Sequence, residues 1–311
     1  GEAGVVIHDL GNAGATVSNN RFKGCGNVSA SANSFVNAGG VYFTKTNYAI
    51  ITENWFDACI NNGYGTVYAD EYNDRCQIKN NTFINDGRNG IQINRNSATT
   101  RGDGTYKQIT GNIMVSGGQA IANTYYGILV TSTGGAGGGI LDVVSGNTIQ
   151  TSTTVSYGIG ISVNADDGTS QVFGNQINGN GVKYSFTVTP GQCEYTAAST
   201  ACTGALTNAV VWKAVKIGRV VTLTLPNVLG TTTNLATIEF GVDLPAPFRP
   251  LVTQYFVSLS VVVNNVAIAT PGMVGVNTSG HILCYRDGVA STGWGTAANT
   301  GIIDTSVSWV V

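Results

Sequence analysis

The sequence predicts an all-β chain: a right-handed parallel β-helix of about six coils, then a C-terminal antiparallel domain of β-sandwich or jelly-roll type. Three observations in its 311 residues carry this expectation. Two short motifs recur in tandem through the first part, the composition favours turns and strands, and the composition changes sharply near residue 190.

The first motif is Asn, any residue, then a large apolar residue, as in Asn20-Arg21-Phe22, Asn54-Trp55-Phe56, Asn81-Thr82-Phe83, Asn112-Ile113-Met114, Asn147-Thr148-Ile149 and Asn175-Gln176-Ile177. The second is Gly followed by alternating apolar residues, beginning at Gly4, Gly40, Gly65, Gly90, Gly127 and Gly158. Both recur at about 25 to 37 residues, the interval of solenoid repeats. Each unit holds short period-2 segments between Gly and Asn turns and lacks helical periodicity, so its inner face is buried only when coils stack. Aligned in this way, Phe22, Phe56, Phe83, Met114, Ile149 and Ile177 form an interior column beside an Asn ladder, and Asn suits a tight turn because it tolerates left-handed backbone. Cys25 and Cys59, each five residues after a ladder Asn, are expected to be stacked small buried groups.

The expected boundaries are a β-helix over 1–188, a linker or cap over 189–209 and a sandwich over 210–311. All 6 prolines lie at or beyond Pro190, whereas 24 of the 31 Asn precede it. Segments 209–212, 220–225, 236–240, 257–263, 273–276, 281–285 and 305–311 read as strands, with hairpin tips at Asn277-Thr278-Ser279-Gly280 and Arg286-Asp287-Gly288. A Cys193–Cys202 disulfide is an open alternative within the linker. The segment 257–263 is apolar on both faces, which calls for a subunit interface or a second layer.

Charge restricts the partners. Only 10% of residues are Asp, Glu, Lys or Arg and the net charge is −2, which leaves no electrostatic footprint for nucleic acid. No apolar run approaches the ~20 residues of a membrane helix, so no membrane insertion is expected. With 6 Cys lacking a CxxC pair and only 2 His, neither a metal site nor a cofactor is expected.

A Gly/Asn-rich β-helix followed by a terminal β-domain resembles bacteriophage tailspikes and tail fibres. The terminal segments Trp212-Lys213, Gly218 to Leu223, Leu244 to Pro250, Asn277 to Ile282 and Ser306 to Trp309 look like the trimerisation domains of such fibres. The resemblance implies a virion protein of the phage tail that binds, and often depolymerises, host surface polysaccharide as a homotrimer.

Glycoside hydrolysis needs two carboxyl groups about 5 to 10 Å apart, and stacked coils about 4.8 Å apart offer that spacing. Two patches qualify as candidates. Glu53, Trp55 and Asp57, at alternate positions, are expected on an outer face beside Arg21 and Lys23 of the preceding coil, as substrate contacts. The turn Asp70-Glu71-Tyr72-Asn73-Asp74-Arg75 concentrates acids in a charge-poor chain. There Asp70, Glu71 and Asp74 are the candidate acid and base, with Tyr72, Arg75, Lys45, Arg95 and Asp103 as contacts. Coil alignment puts Asp70 between Lys45 and Arg95, which also fits a plain surface charge ladder. The expected activity is hydrolysis of capsule or O-antigen. A lyase, a non-catalytic adhesin tip and a structural shaft are the alternatives.

Overall fold

The computed structural model describes residues 4–11, 14–26, 39–59, 64–70, 75–95, 107–118, 124–132, 143–151, 157–163, 171–179, 182–186, 192–199, 202–204, 210–232, 236–288 and 292–311. It divides into two compact units, Gly1–Gln192 and Cys193–Val311.

The first unit is a parallel β-helix with three faces. One face stacks Val5–Gly11, Val41–Thr46, Gly65–Asp70, Asn89–Arg95, Tyr126–Ser132, Ile159–Val163 and Val182–Phe186. The second stacks Thr16–Ser18, Ile50–Thr52, Gln77–Lys79, Gln108–Thr110, Val143–Ser145 and Gln171–Phe173. The third stacks Arg21–Lys23, Trp55–Asp57, Thr82–Ile84, Ile113–Val115, Thr148–Thr151 and Gln176–Gly179.

A two-residue corner joins the second face to the third. Its first residue is left-handed in every coil: Asn19 (φ 57°), Glu53 (56°), Asn80 (55°), Gly111 (67°), Gly146 (63°) and Gly174 (63°). This requirement explains the Gly and Asn preference there. Its second residue is the ladder Asn. The Oδ1 of Asn81 accepts from both the backbone N–H (3.0 Å) and the side-chain amide (3.0 Å) of Asn54. Asn81 donates likewise to Asn112, Asn112 to Asn147, and Asn147 to Asn175. Each amide also donates to a backbone carbonyl of the preceding coil, as Asn112 does to Ile78 O (2.9 Å). The corner's buried polar groups are thereby satisfied without water.

The expected apolar column is present. Phe22 stacks on Phe56 and Phe56 on Phe83, each at 4.9 Å between ring centroids, and Met114, Ile149 and Ile177 continue it in register. Opposite it runs a column of small residues with a register different from the one expected. Val41 pairs with Val67, and Ile128 with Ile161, so the column is Gly4, Gly40, Thr66, Gly90, Gly127 and Gly160, rather than one through Gly65 and Gly158. The reason is space: a Cβ at Gly40 would lie 2.6 Å from the Phe56 ring, and one at Gly127 would lie 2.7 Å from Ile149. Thr66 interrupts this column, and Lys183 of the next strand ends it.

The strand pairs described within the second unit are antiparallel. Val210–Ile217 and Val220–Leu225 form a hairpin, and Thr305–Val310 adds to it antiparallel to Val220–Leu225. A second sheet runs Cys202–Gly204, Thr237–Phe240, Ile282–Tyr285, Gly272–Val276, Gln254–Leu259, and a third runs Val228–Gly230, Thr300–Ile302, Val261–Val263, Val266–Ala267. Its core includes Trp212, Leu223 and Phe248, and the Trp309 indole N–H donates to Phe248 O (3.0 Å). The chain's last strand is anchored by this bond.

Three expectations change here. The segment read as one strand over 257–263 divides at Ser260 between two sheets, so its two apolar faces belong to different strands: Val261 is buried and Val257 exposed. Asn277 to Gly280 is a hairpin tip, but Arg286-Asp287-Gly288 opens a loop instead, because Arg286 Nη1 donates to Gly293 O (3.0 Å) and Thr292 N–H to Asp287 Oδ2 (2.8 Å). The stretch read as a linker carries strands Gln192–Ser199 and Cys202–Gly204. The Cys202 side chain of the Cys193–Cys202 alternative lies outside the described residues.

Candidate functional site

The third face presents the clearest outward surface. Along each of its strands the second residue enters the core and the residues on either side of it face out, so the ladder Asn fixes which residues are presented. Trp55 is 42% exposed, with Arg21 and Thr82 paired on either side and Ile113, 45% exposed, one row beyond Thr82. Asp57 is half-buried, and its Oδ2 lies 3.8 Å from Arg21 Nη2. This places a flat indole, an ion pair and hydroxyl and amide side chains on one surface. Such a surface can stack on the apolar face of a sugar ring and bond its hydroxyls. Asp57 is the one carboxylate on the described strands of this face, so those strands alone do not supply an acid and a base.

Glu53 does not share the face. Its left-handed φ of 56° puts it in the corner, so the even spacing of Glu53, Trp55 and Asp57 does not describe one continuous strand. The corner, which recurs in every coil, overrides the period-2 pattern.

The second patch is only partly visible. Glu71, Tyr72, Asp74 and Asp103 lie outside the described residues, as do the side chains of Asp70 and Arg95. The backbone register nevertheless corrects one expectation. Asp70 pairs with Thr44, and Ala69 with Ile93, so Asp70 stands level with Thr44 and Asn94 and not in a row with Lys45 and Arg95. A one-residue offset in a strand exchanges faces, and Lys45 has already left the strand geometry at φ 51°. Arg75 is exposed beside the same turn. Its Nη1 donates to Tyr48 Oη (2.5 Å), and its guanidinium sits 5.4 Å from the centre of the Tyr48 ring.

Tyr48 is thus a candidate contact that the sequence pattern did not mark. It is 41% exposed on left-handed backbone (φ 60°), a conformation with no signature in a lone Tyr. A third constellation lies in the C-terminal unit, where His281 Nδ1 is 2.8 Å from Glu239 Oε1 and 3.3 Å from Asp243 Oδ1. Its members come from separate segments, so no local spacing announces it. Among the described residues no group of three or more His, Cys, Asp or Glu is arranged to hold a metal ion.

No family model matches the chain, and no curated protein matches it significantly. Among solved structures it is similar to the Dettilon tailspike protein (gp208), at 11% identity over 97% of this chain and 84% of that one, with a TM-score of 0.28. A likeness of that size has no bearing on function.

Proposed function

We propose that the chain is part of a phage tailspike, a receptor-binding protein of the virion tail that holds bacterial surface polysaccharide, capsule or O-antigen, on the outside of its coils. The observation that supports this reading is Trp55, left 42% exposed on a regular β-face beside the Arg21–Asp57 pair. A large aromatic in that setting exposes apolar surface that a sugar ring would cover. The proposal extends to hydrolysis, with Asp70, Glu71 and Asp74 supplying acid and base. Glu53, Lys45, Tyr72, Arg75, Arg95 and Asp103 would be further contacts.

Incubation with a panel of purified capsular and O-antigen polysaccharides tests both parts. One polymer is expected to bind, to shorten and to gain reducing ends without unsaturated sugar. Trp55→Ala is expected to weaken its binding about tenfold or more, as loss of a central aromatic anchor does, with the melting profile retained. Unsaturated products would replace the hydrolase with a lyase. Binding without shortening would favour the adhesin reading, to which the lone carboxylate on the described Trp55 face already leans. Absence of binding across a broad panel would overturn the proposal.

Self-association belongs to the same reading. Leu251, Val252, Tyr255, Val257 and Val266 are exposed in the C-terminal unit, and burial between copies would remove their apolar surface from water. Light scattering at micromolar concentration is expected to report the mass of a trimer; a stable monomer of 32.2 kDa would contradict it.

A further inference from the structure

Among the described residues of the β-helix, Asp86 is the one acidic side chain that is fully buried. Five residues after each ladder Asn, successive coils place Cys25, Cys59, Asp86 and Gly117. Cys59 is a buried thiol whose Sγ approaches Phe22 O (3.8 Å), whereas Asp86 puts a fully buried carboxyl in the same column. The coil that carries Asp86 also carries Thr66, the residue that interrupts the glycine column. Tyr157, two coils further along, is fully buried as well and reaches down through the space left by Gly117. Its hydroxyl donates to Asp86 Oδ2 (3.2 Å).

A single proton would remove the charge from this buried cluster. Asp86 Oδ1 and Thr66 Oγ1 are both buried and neither makes a well-formed hydrogen bond, although the Thr66 hydroxyl lies close enough to act on the carboxyl. The Thr66 hydroxyl can donate to a carboxylate or accept from a carboxylic acid, so what sets the two forms apart is that an ionised Asp86 would hold its charge inside an apolar stack with no cation against it among the described residues. A carboxylic acid protonated on Oδ1 gains a donor on the side away from Tyr157.

We propose that Asp86, Tyr157 and Thr66 form a proton-holding latch inside the β-helix: Asp86 keeps a proton on Oδ1, directs it to Thr66 Oγ1 and accepts from Tyr157 on Oδ2. The ionisable groups around it favour this state. Burial drives the Asp86 carboxyl well above the ordinary range, the Asp57 charge adds to that, and the Thr66 and Tyr157 hydroxyls only partly oppose it. Asp86 in turn helps burial to raise the Tyr157 hydroxyl and the Cys59 thiol.

The sign of the pH effect follows. The folded chain holds this proton at pH values where an unfolded Asp, with a pKa of about 3.9, has lost it. The latch's contribution is therefore complete below that value and is lost as pH rises toward the folded-state pKa. Asp86→Asn reproduces the neutral group, with an amide N–H in place of the acid O–H.

The test is denaturant unfolding of the full chain, wild type and Asp86→Asn, from about pH 4 to about pH 9. The ratio of their folding constants is expected to move against the wild type by up to about tenfold per pH unit until the folded-state pKa is reached. A ratio independent of pH would overturn the latch. A second readout uses infrared spectra of the wild type at neutral pH, where exposed carboxyls are ionised. An un-ionised carboxyl band is expected there and should shift in Tyr157→Phe; its absence from the wild type, or its indifference to Tyr157→Phe, would equally overturn the proposal. That readout stands even if Asp86→Asn does not fold.

Discussion

Replacing Gly117 by alanine is expected to destabilise the chain by about 3 kcal/mol or more, at the upper end of overpacking effects. The added Cβ would overlap Cζ and Oη of Tyr157. The usual escape, a flexible side chain swinging aside, is closed because the Tyr157 ring is fully buried and its hydroxyl is bonded to Asp86 (3.2 Å). A double-mutant cycle provides the check. Tyr157→Ala alone leaves a cavity costing about 3 to 5 kcal/mol, but adding Gly117→Ala to it should cost little more, since the clash has gone. Additive losses in denaturant unfolding would mean that the ring does not occupy the glycine's space.

Asn112→Ala is expected to cost about 3 kcal/mol, through hydrogen-bonding groups left behind rather than through lost volume. Asn112 Oδ1 accepts from the Asn81 backbone N–H (3.0 Å) and side-chain amide (3.0 Å), while its own amide serves Ile78 O (2.9 Å) and Asn147 Oδ1 (2.9 Å). Alanine would strand a buried N–H and a buried carbonyl together. Asn20→Ala is the comparison, because Asn20 is exposed at the start of the ladder and its loss should cost about 1 kcal/mol or less. Equal losses at the two positions would show that the ladder's contribution does not depend on burial.

The parts of the fold visible in the sequence are those where every coil repeats the same residue. The corner Asn and the apolar residue two places later recur together, so the repeat alone aligns Phe22, Phe56 and Phe83 in one column. The Trp55 surface is legible for the same reason, since it lies one place from a ladder Asn on a three-residue strand. Legibility fails where connections of unequal length separate the strands. Register cannot be carried across them from the ladder, and this put Asp70 one place out of row and displaced Gly65 and Gly158 from the small-residue column. It fails again at Glu53, where a corner interrupts an apparent alternation, and at Ser260, where one apolar run serves two sheets. The Asp86–Tyr157 contact spans 71 residues, and no periodicity leads from one to the other.

The Asn ladder has a consequence for how the coils find their order. Every rung is the same amide stacked on the same amide, so a rung certifies that two coils are adjacent but not which two they are. A coil skipped during assembly and looped out would sacrifice no rung geometry between those that closed over it. The identity of each level must therefore be written elsewhere, in the side chains that differ from coil to coil. Substituting those odd residues with the repeat's consensus would make the stack more uniform and, at the same time, less certain of its own sequence of layers.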